Sequence, residues 1–235
     1  MRKIDVCLSP ALADLHAVED HIVVVVDILR ATSCMVTGMA TGVESILPVM
    51  DLDLCKSKKN DGYFIAGERD GKKVEGFDLG NSPYDYMKPE FKGKKIAVTT
   101  TNGTVAFEKS KKAHTIIAGS FLNLSAVAEY ILAHNDKDCL IMCAGWKGKV
   151  NLEDTLFAGA LVDKLSSSYA PACDAPILSS HAYNVSKGNL MEALKESSHV
   201  KRLLNLNITQ DIEFCLSIDT YHIVPVLKNG ELTIV

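Results

Sequence analysis

The feature that most constrains this chain is a set of short apolar runs, each broken off by a polar, glycine-bearing turn. The clearest is "HIVVVVDIL", residues 21–29, where four consecutive valines leave no polar face. A strand points successive side chains to opposite faces. A run without alternation is therefore buried on both, as in a mainly parallel sheet covered by helices. "KKIAVTTTNG" (94–103) and "DCLIMCAGWKG" (138–148) repeat the arrangement. "AHTIIAGS" (113–120) and "APILSSHA" (175–182) read as further strands. None approaches the length of about 20 residues that a membrane-spanning helix needs.

Helical patterns fit between the runs. Residues 32–41 follow the first strand, and residues 125–133 ("SAVAEYILA") have apolar side chains at helical spacing. The best helix is 151–165, "NLEDTLFAGALVDKL", with Asn151 as N-cap and Asp154 at the capping-box position. Residues 189–196 and 209–216 read as helices. "YHIVPVL" and "ELTIV" flank Lys228, Asn229, Gly230 and Glu231, a hairpin signal. Alternating strand and helix predicts a layered α/β/α sandwich with a mainly parallel or mixed central sheet. The reading is one domain over residues 1–235, with the polar, loop-rich segment 51–89 as an excursion over the site.

A net charge of −4 argues against a surface built to bind nucleic-acid phosphates, so the lysine clusters at 56–59 and 109–112 read as solvated faces. The start, "MRKIDVCLSP", has no apolar core of a signal peptide. The seven cysteines are scattered, with no C-x-x-C pair, and read as reduced thiols. The expectation is a cytoplasmic protein with a small-molecule partner and neither nucleic acid nor membrane. A homodimer is compatible with this, but no interface is legible.

In open parallel sheets ligands bind beyond the carboxyl ends of the strands. Residues 27–33, 99–104 and 143–148 fall there, and "GERDGKKVEGFDLGNSP" (67–83) has the same character. Asp27 ends the valine run, where a carboxylate can hold Mg²⁺, act as nucleophile, or cap the next helix. Arg30 can fork onto a carboxylate or phosphate, or form an inert rim ion pair with Asp27. Thr32 and Ser33 open a helix whose free N–H groups favour an anion. "TTTNGT" offers hydroxyls and backbone N–H groups, or is an ordinary strand end with an Asn-Gly turn. Gly145 permits close approach to a ligand. Asp154 is explained by capping, whereas Glu153 is not and is a candidate metal ligand or base. Ser82 and Asp85 fit a cap with Pro83 at the first helical position. Glu68, Arg69 and Asp78 have no such account. Carboxylates, arginines and hydroxyls together suggest metal-assisted phosphoryl transfer to water.

The blocks "VVVVDILRATS", "GERDG" followed by "GFDLGNSP", "TTTNGT" and "CAGWKGKVNLEDTLFAG" resemble, in order, the signature blocks of the 2-phosphosulfolactate phosphatase family. "RLLNLNITQDIEFCLSIDTYHIVPVL" resembles its tail, so the likeness covers most of the chain. No single block is specific, but four in order are. The resemblance implies a Mg²⁺-dependent phosphatase that converts 2-phospho-3-sulfolactate to 3-sulfolactate and phosphate, on a route toward coenzyme M. It implies an α/β sandwich of its own class rather than the haloacid dehalogenase fold. The matching positions are Asp27, Arg30 and Thr32; Glu68 and Arg69; Asp78, Asn81 and Ser82; Thr100, Thr101, Asn102, Gly103 and Thr104; and Gly145, Glu153 and Asp154. Within them Asp27, Glu68 and Asp154 are the expected Mg²⁺ ligands. Arg30 and Arg69 are expected to grip substrate anions, with the threonine loop cradling the transferring oxygens. Glu153 or Asp78 is expected to orient the attacking water.

Two rival readings stand beside this one. Asp27 could form an aspartyl-phosphate, although the position two residues on, where such enzymes usually carry a second aspartate, is Leu29. The same pocket could instead sense a phosphorylated or sulfonated metabolite without turnover. Cys34 is not a nucleophile on this reading, because the C-x₅-R loop is absent. His181 could face the site as an acid, and the other six histidines lack ligand spacing and read as core or surface residues.

Overall fold

The computed structural model describes residues 1–134 and 136–234. Among them eleven strands form one sheet: β1 Arg2–Cys7, β2 Ile22–Val26, β3 Ser45–Pro48, β4 Phe64–Arg69, β5 Lys72–Lys73, β6 Lys95–Thr99, β7 Thr115–Gly119, β8 Cys139–Cys143, β9 Tyr169–Pro171, β10 Pro225–Lys228 and β11 Glu231–Ile234. The helices are α1 Ala31–Ala40, α2 Leu52–Ser57, α3 Pro83–Tyr86, α4 Gly103–Lys109, α5 Leu124–Ala133, α6 Leu152–Leu165, α7 Asp174–Ser186, α8 Leu190–Leu194, α9 Ser198–Asn205 and α10 Thr209–Cys215. The sheet order is β5-β4-β6-β3-β11-β10-β7-β2-β8-β1-β9.

The valine run explains the layers. Val23 and Val25 join Leu140, Met142, Met35 of α1 and Phe107 of α4 on one face. Val24 and Val26 join Ile141, Val127 of α5 and Leu156 and Leu161 of α6 on the other. All four valines are fully buried, each stabilising the fold by roughly 1.5–3 kcal/mol relative to exposure. Helices therefore cover both faces of a mixed, mostly parallel sheet, as the sequence predicts.

The sheet consists of two parallel blocks. One is β4-β6-β3 and the other β7-β2-β8-β1-β9. The β10–β11 hairpin lies between them, bonded antiparallel to β7 through Val226 and Ile117 and to β3 through Leu232 and Ile46. Its turn residues Asn229 and Gly230 both have positive φ, 52° and 88°, as a type I′ turn requires. Three antiparallel pairings in a row reverse strand sense between the blocks. In a flat sheet their carboxyl ends would lie on opposite edges. Six steps separate β4 from β2, and a twist of roughly 20–25° per step accumulates to about 120–150°. That turns the reversed block's carboxyl ends back toward those of β2 and β8.

Two expectations are corrected here. "APILSSHA" is helical, within α7. Its apolar side chains Ile177 and Leu178 are 42% and 58% exposed, which no doubly buried strand allows. The helix instead sits close on α6, where a Cβ added to Gly159 would lie 2.0 Å from the Ser179 carbonyl oxygen. Segment 51–89 is more than an excursion, because β4 is a member of the main sheet and delivers Glu68.

Candidate active site

A narrow polar cleft collects residues from just beyond β2 and β8 in one block and from β4 and the end of β6 in the other. Its walls include Asp27, Arg30, Glu68, Asn81, Thr101 and Asn102 from the expected positions. They also include Asp70, Trp146, Lys147, His199 and Arg202, which are not among the expected site residues.

Asp27 follows β2 directly and is 7% exposed. Its Oδ1 accepts the Ala31 N–H at 3.2 Å, which fastens the start of α1. No described group donates to Oδ2. Gly103 opens α4 hard against this carboxylate, and a Cβ there would lie 2.8 Å from Oδ2 and 2.7 Å from the Ala31 Cβ. Burial pushes Asp27 up to about 6; Glu68 and Glu153 add to the rise, while the Ala31 N–H and His199 oppose it.

Glu68 stands at the end of β4. Across the two-residue turn to β5, Asp70 and Gly71 both have positive φ (53° and 77°), and one Glu68 oxygen accepts the Gly71 N–H. Its other oxygen has no donor among the described residues. Asn81 Oδ1 is a third acceptor on this cleft, buried and without a donor.

Arg30 does not pair with Asp27. Its Nη1 is held by Asp211 of α10, which also accepts from Ser82 Oγ at 3.0 Å. Ser82 is thus the N-cap of α3 by position only, with its hydroxyl committed to orienting Arg30's partner. Beyond β8, Trp146 and Lys149 exchange both backbone hydrogen bonds, at 2.8 and 3.0 Å, around Lys147 and Gly148, again with positive φ. The Asn102 side-chain carbonyl accepts the Lys147 N–H at 3.3 Å, which ties this turn to the β6 loop.

Several expected residues are committed elsewhere. The Thr32 hydroxyl donates to the Asp27 carbonyl at 3.0 Å and accepts the Asp27 N–H. The Ala31 and Thr32 amides are taken by Asp27 itself, so they do not face an anion. Thr100 and Thr104 bond each other across the start of α4. Arg69 bonds the Glu68 carbonyl and Thr99 Oγ1. Asp78 accepts the Ile65 N–H at 2.9 Å and pairs with Lys59, away from the cleft. Gly145 adopts φ 59°, and a Cβ there would lie 2.4 Å from the Lys149 carbonyl oxygen.

Asp154 is not a capping residue. Its two oxygens accept the Ile28 and Gly145 N–H groups at 2.9 and 3.1 Å, so it joins the ends of β2 and β8. Burial first, then Asp27 and Glu153, pushes its carboxyl well above the ordinary range. Glu153 is fully buried. One oxygen accepts from His199 Nδ1 at 2.6 Å and from Asn151 Nδ2 at 3.2 Å, and the other has no donor. Of the six histidines read as core or surface residues, His199 is buried and also lines the cleft, whereas exposed His181 on α7 is not on the cleft. The signal for His199 and Arg202 was present in their i, i+3 spacing on one helix face.

Mg²⁺ takes one or two protein carboxylates, with water and substrate oxygens completing its shell. Among the described residues no three of His, Cys, Asp and Glu form a cage. Asp27 and Glu68, each with one oxygen occupied and one unpartnered, nevertheless fit such an ion. Asp154, with both oxygens occupied, fits less well.

Carboxylates with half their acceptors unpartnered share this cleft with guanidinium and ammonium groups, in an α/β fold with room for a small ligand. The family pattern described as 2-phosphosulpholactate phosphatase matches residues 7–230. A probable 2-phosphosulfolactate phosphatase of Caldanaerobacter subterraneus subsp. tengcongensis is 44% identical over 88% of each chain. Proteins of the same description from Thermotoga maritima and Clostridium tetani are 42% and 35% identical, each over 97% of this chain and 96% and 98% of their own. The chain is a phosphoric monoester hydrolase and belongs to the 2-phosphosulpholactate phosphatase family.

Proposed function

We propose that the protein is a Mg²⁺-dependent phosphatase that hydrolyses 2-phospho-3-sulfolactate to 3-sulfolactate and phosphate. The observation that carries this reading is the pairing, in one cleft, of Asp27 and Glu68 with Arg30, Lys147 and Arg202. The substrate presents a phosphate, a sulfonate and a carboxylate on three carbons. Such a polyanion needs several cations at once, and planar guanidinium groups suit oxygen pairs.

Asp27 and Glu68 would hold the ion. When bound, Mg²⁺ supplies charge neutralisation on the phosphoryl oxygens. Arg30, fixed by Asp211 and Ser82, presents its remaining N–H groups to the substrate from a buried position, and a preorganised donor needs no rearrangement during reaction. Lys147 and Arg202 flank Trp146, their charged groups 5.4 and 5.9 Å from its ring centroid, and set the cation density at the entrance.

Phosphate release from 2-phosphosulfolactate, phospholactate, phosphoglycolate and a sugar phosphate, with Mg²⁺ or with EDTA, tests the reading. The expected result is release from the 2-hydroxy-acid esters that stops with EDTA and falls at least about 100-fold in Asp27→Asn, the scale of a lost electrostatic or metal contact. Release that ignores EDTA, or that prefers the sugar phosphate, would count against it.

A further inference from the structure

Hydrolysis of an alkyl phosphate expels a poor leaving group, a 2-hydroxyl oxygen that needs a proton as the ester bond breaks. The acidic groups on the cleft are poorly placed to give one, because Asp27 and Glu68 would hold the metal and the Asp70 side chain is 85% exposed on the β4–β5 turn. His199 is different. It stands on the cleft wall, on α9, and it is 7% exposed. Its Nδ1 meets Glu153 Oε1 at 2.6 Å. A carboxylate only accepts, so Nδ1 carries hydrogen and the acid–base atom is Nε2. Trp146 stacks on the ring, centroids 5.5 Å apart and planes 13° apart, and fixes its orientation. Among the described residues nothing bonds Nε2.

Glu153 strengthens the argument. It is wholly buried on α6, its second oxygen has no donor, and Asn151 gives the first only a 3.2 Å bond. A buried carboxylate so sparsely satisfied is costly unless a positive charge lies beside it. The group that lies beside it is the His199 imidazole, 2.6 Å away.

We infer that His199 is the general acid of this reaction, held in place by Glu153 as its positioning residue. The inference rests on the phosphatase reading. As the ester P–O bond breaks, the Nε2 proton passes to the leaving oxygen and the electron pair of the bond stays with that oxygen. The phosphoryl group takes a water oxygen, giving dihydrogen phosphate. That product returns one proton to Nε2 and leaves as hydrogen phosphate, so protons and electrons balance.

The test compares an alkyl ester, 2-phosphosulfolactate, with 4-nitrophenyl phosphate, whose leaving group departs without a proton. His199→Gln should lose about 100-fold or more on the alkyl ester, the usual share of general acid catalysis, and less than about 5-fold on the aryl ester. His199→Asn, which keeps a donor toward Glu153, should show the same split and guards against a folding defect. Glu153→Gln should show it in weaker form, which a purely structural role would not produce. Equal losses on both esters in His199→Asn that unfolds at the wild-type temperature would overturn the inference. Wild-type protein inactive on both esters would instead sink the phosphatase reading itself.

Discussion

Single residues in this protein act through the space they leave. Gly103 illustrates it, with α4 starting so near β2 that a methyl group would press on Asp27 and Ala31 together. Gly103→Ala is expected to cost about 1–3 kcal/mol, the usual range for overpacking a filled site. It should also lower the rate about 100-fold, because a displacement near 1 Å at a reacting group has that effect. Phosphate release and urea titration of the same protein separate the two. A stable variant with full activity would show that the backbone absorbs the methyl without moving Asp27. At the same scale, Cys34 is buried, and burial pushes its thiol well above the ordinary range, which disfavours the thiolate that a nucleophile needs.

Elements carry these residues, and α9 carries two that matter, His199 and Arg202. The helix begins at Ser197, whose side chain accepts the Val200 N–H at 3.1 Å. Ser197→Ala should remove about 1 kcal/mol of unfolding free energy, as lost caps do, read by urea titration. An unchanged midpoint would mean that packing of Val200 and Leu203 alone sets the helix. Which elements were legible follows from burial. Strands β2, β6, β7 and β8 are buried on both faces and leave continuous apolar runs. Strand β4 ends in Glu68 and Arg69, so the site interrupts its pattern, and β1 begins with exposed Arg2 and Lys3. The cleft was legible where its residues lie in contiguous blocks, as with Asp27, Arg30, Glu68, Asn81, Thr101 and Asn102. It was not where the relation is tertiary. Glu153 and His199 are 46 positions apart, and Arg30 and Asp211 are 181 apart. Local spacing cannot announce such pairs. For the same reason Asp154 read as a cap, since its true partners are amides on other elements.

The whole molecule depends on the β10–β11 hairpin. Leu232 is fully buried and pairs with Ile46 across the seam. Leu232→Ala should destabilise by about 2–5 kcal/mol, the cost of emptying a core site, and calorimetry is expected to show the two blocks melting apart. A single sharp transition at the wild-type temperature would show that the seam is not the weak joint. The cleft shares this dependence, since its walls come from both blocks.

Among the described residues the hairpin follows every other strand in chain order, yet it occupies the middle of the sheet. Neither block can meet its neighbour until residues 225–234 have left the ribosome. The nascent chain therefore holds two half-built layers with open edges facing each other, the kind of edge that pairs with strangers. Assembly is a closing of ranks around a late arrival, because the cleft draws its walls from the blocks on both sides of the hairpin.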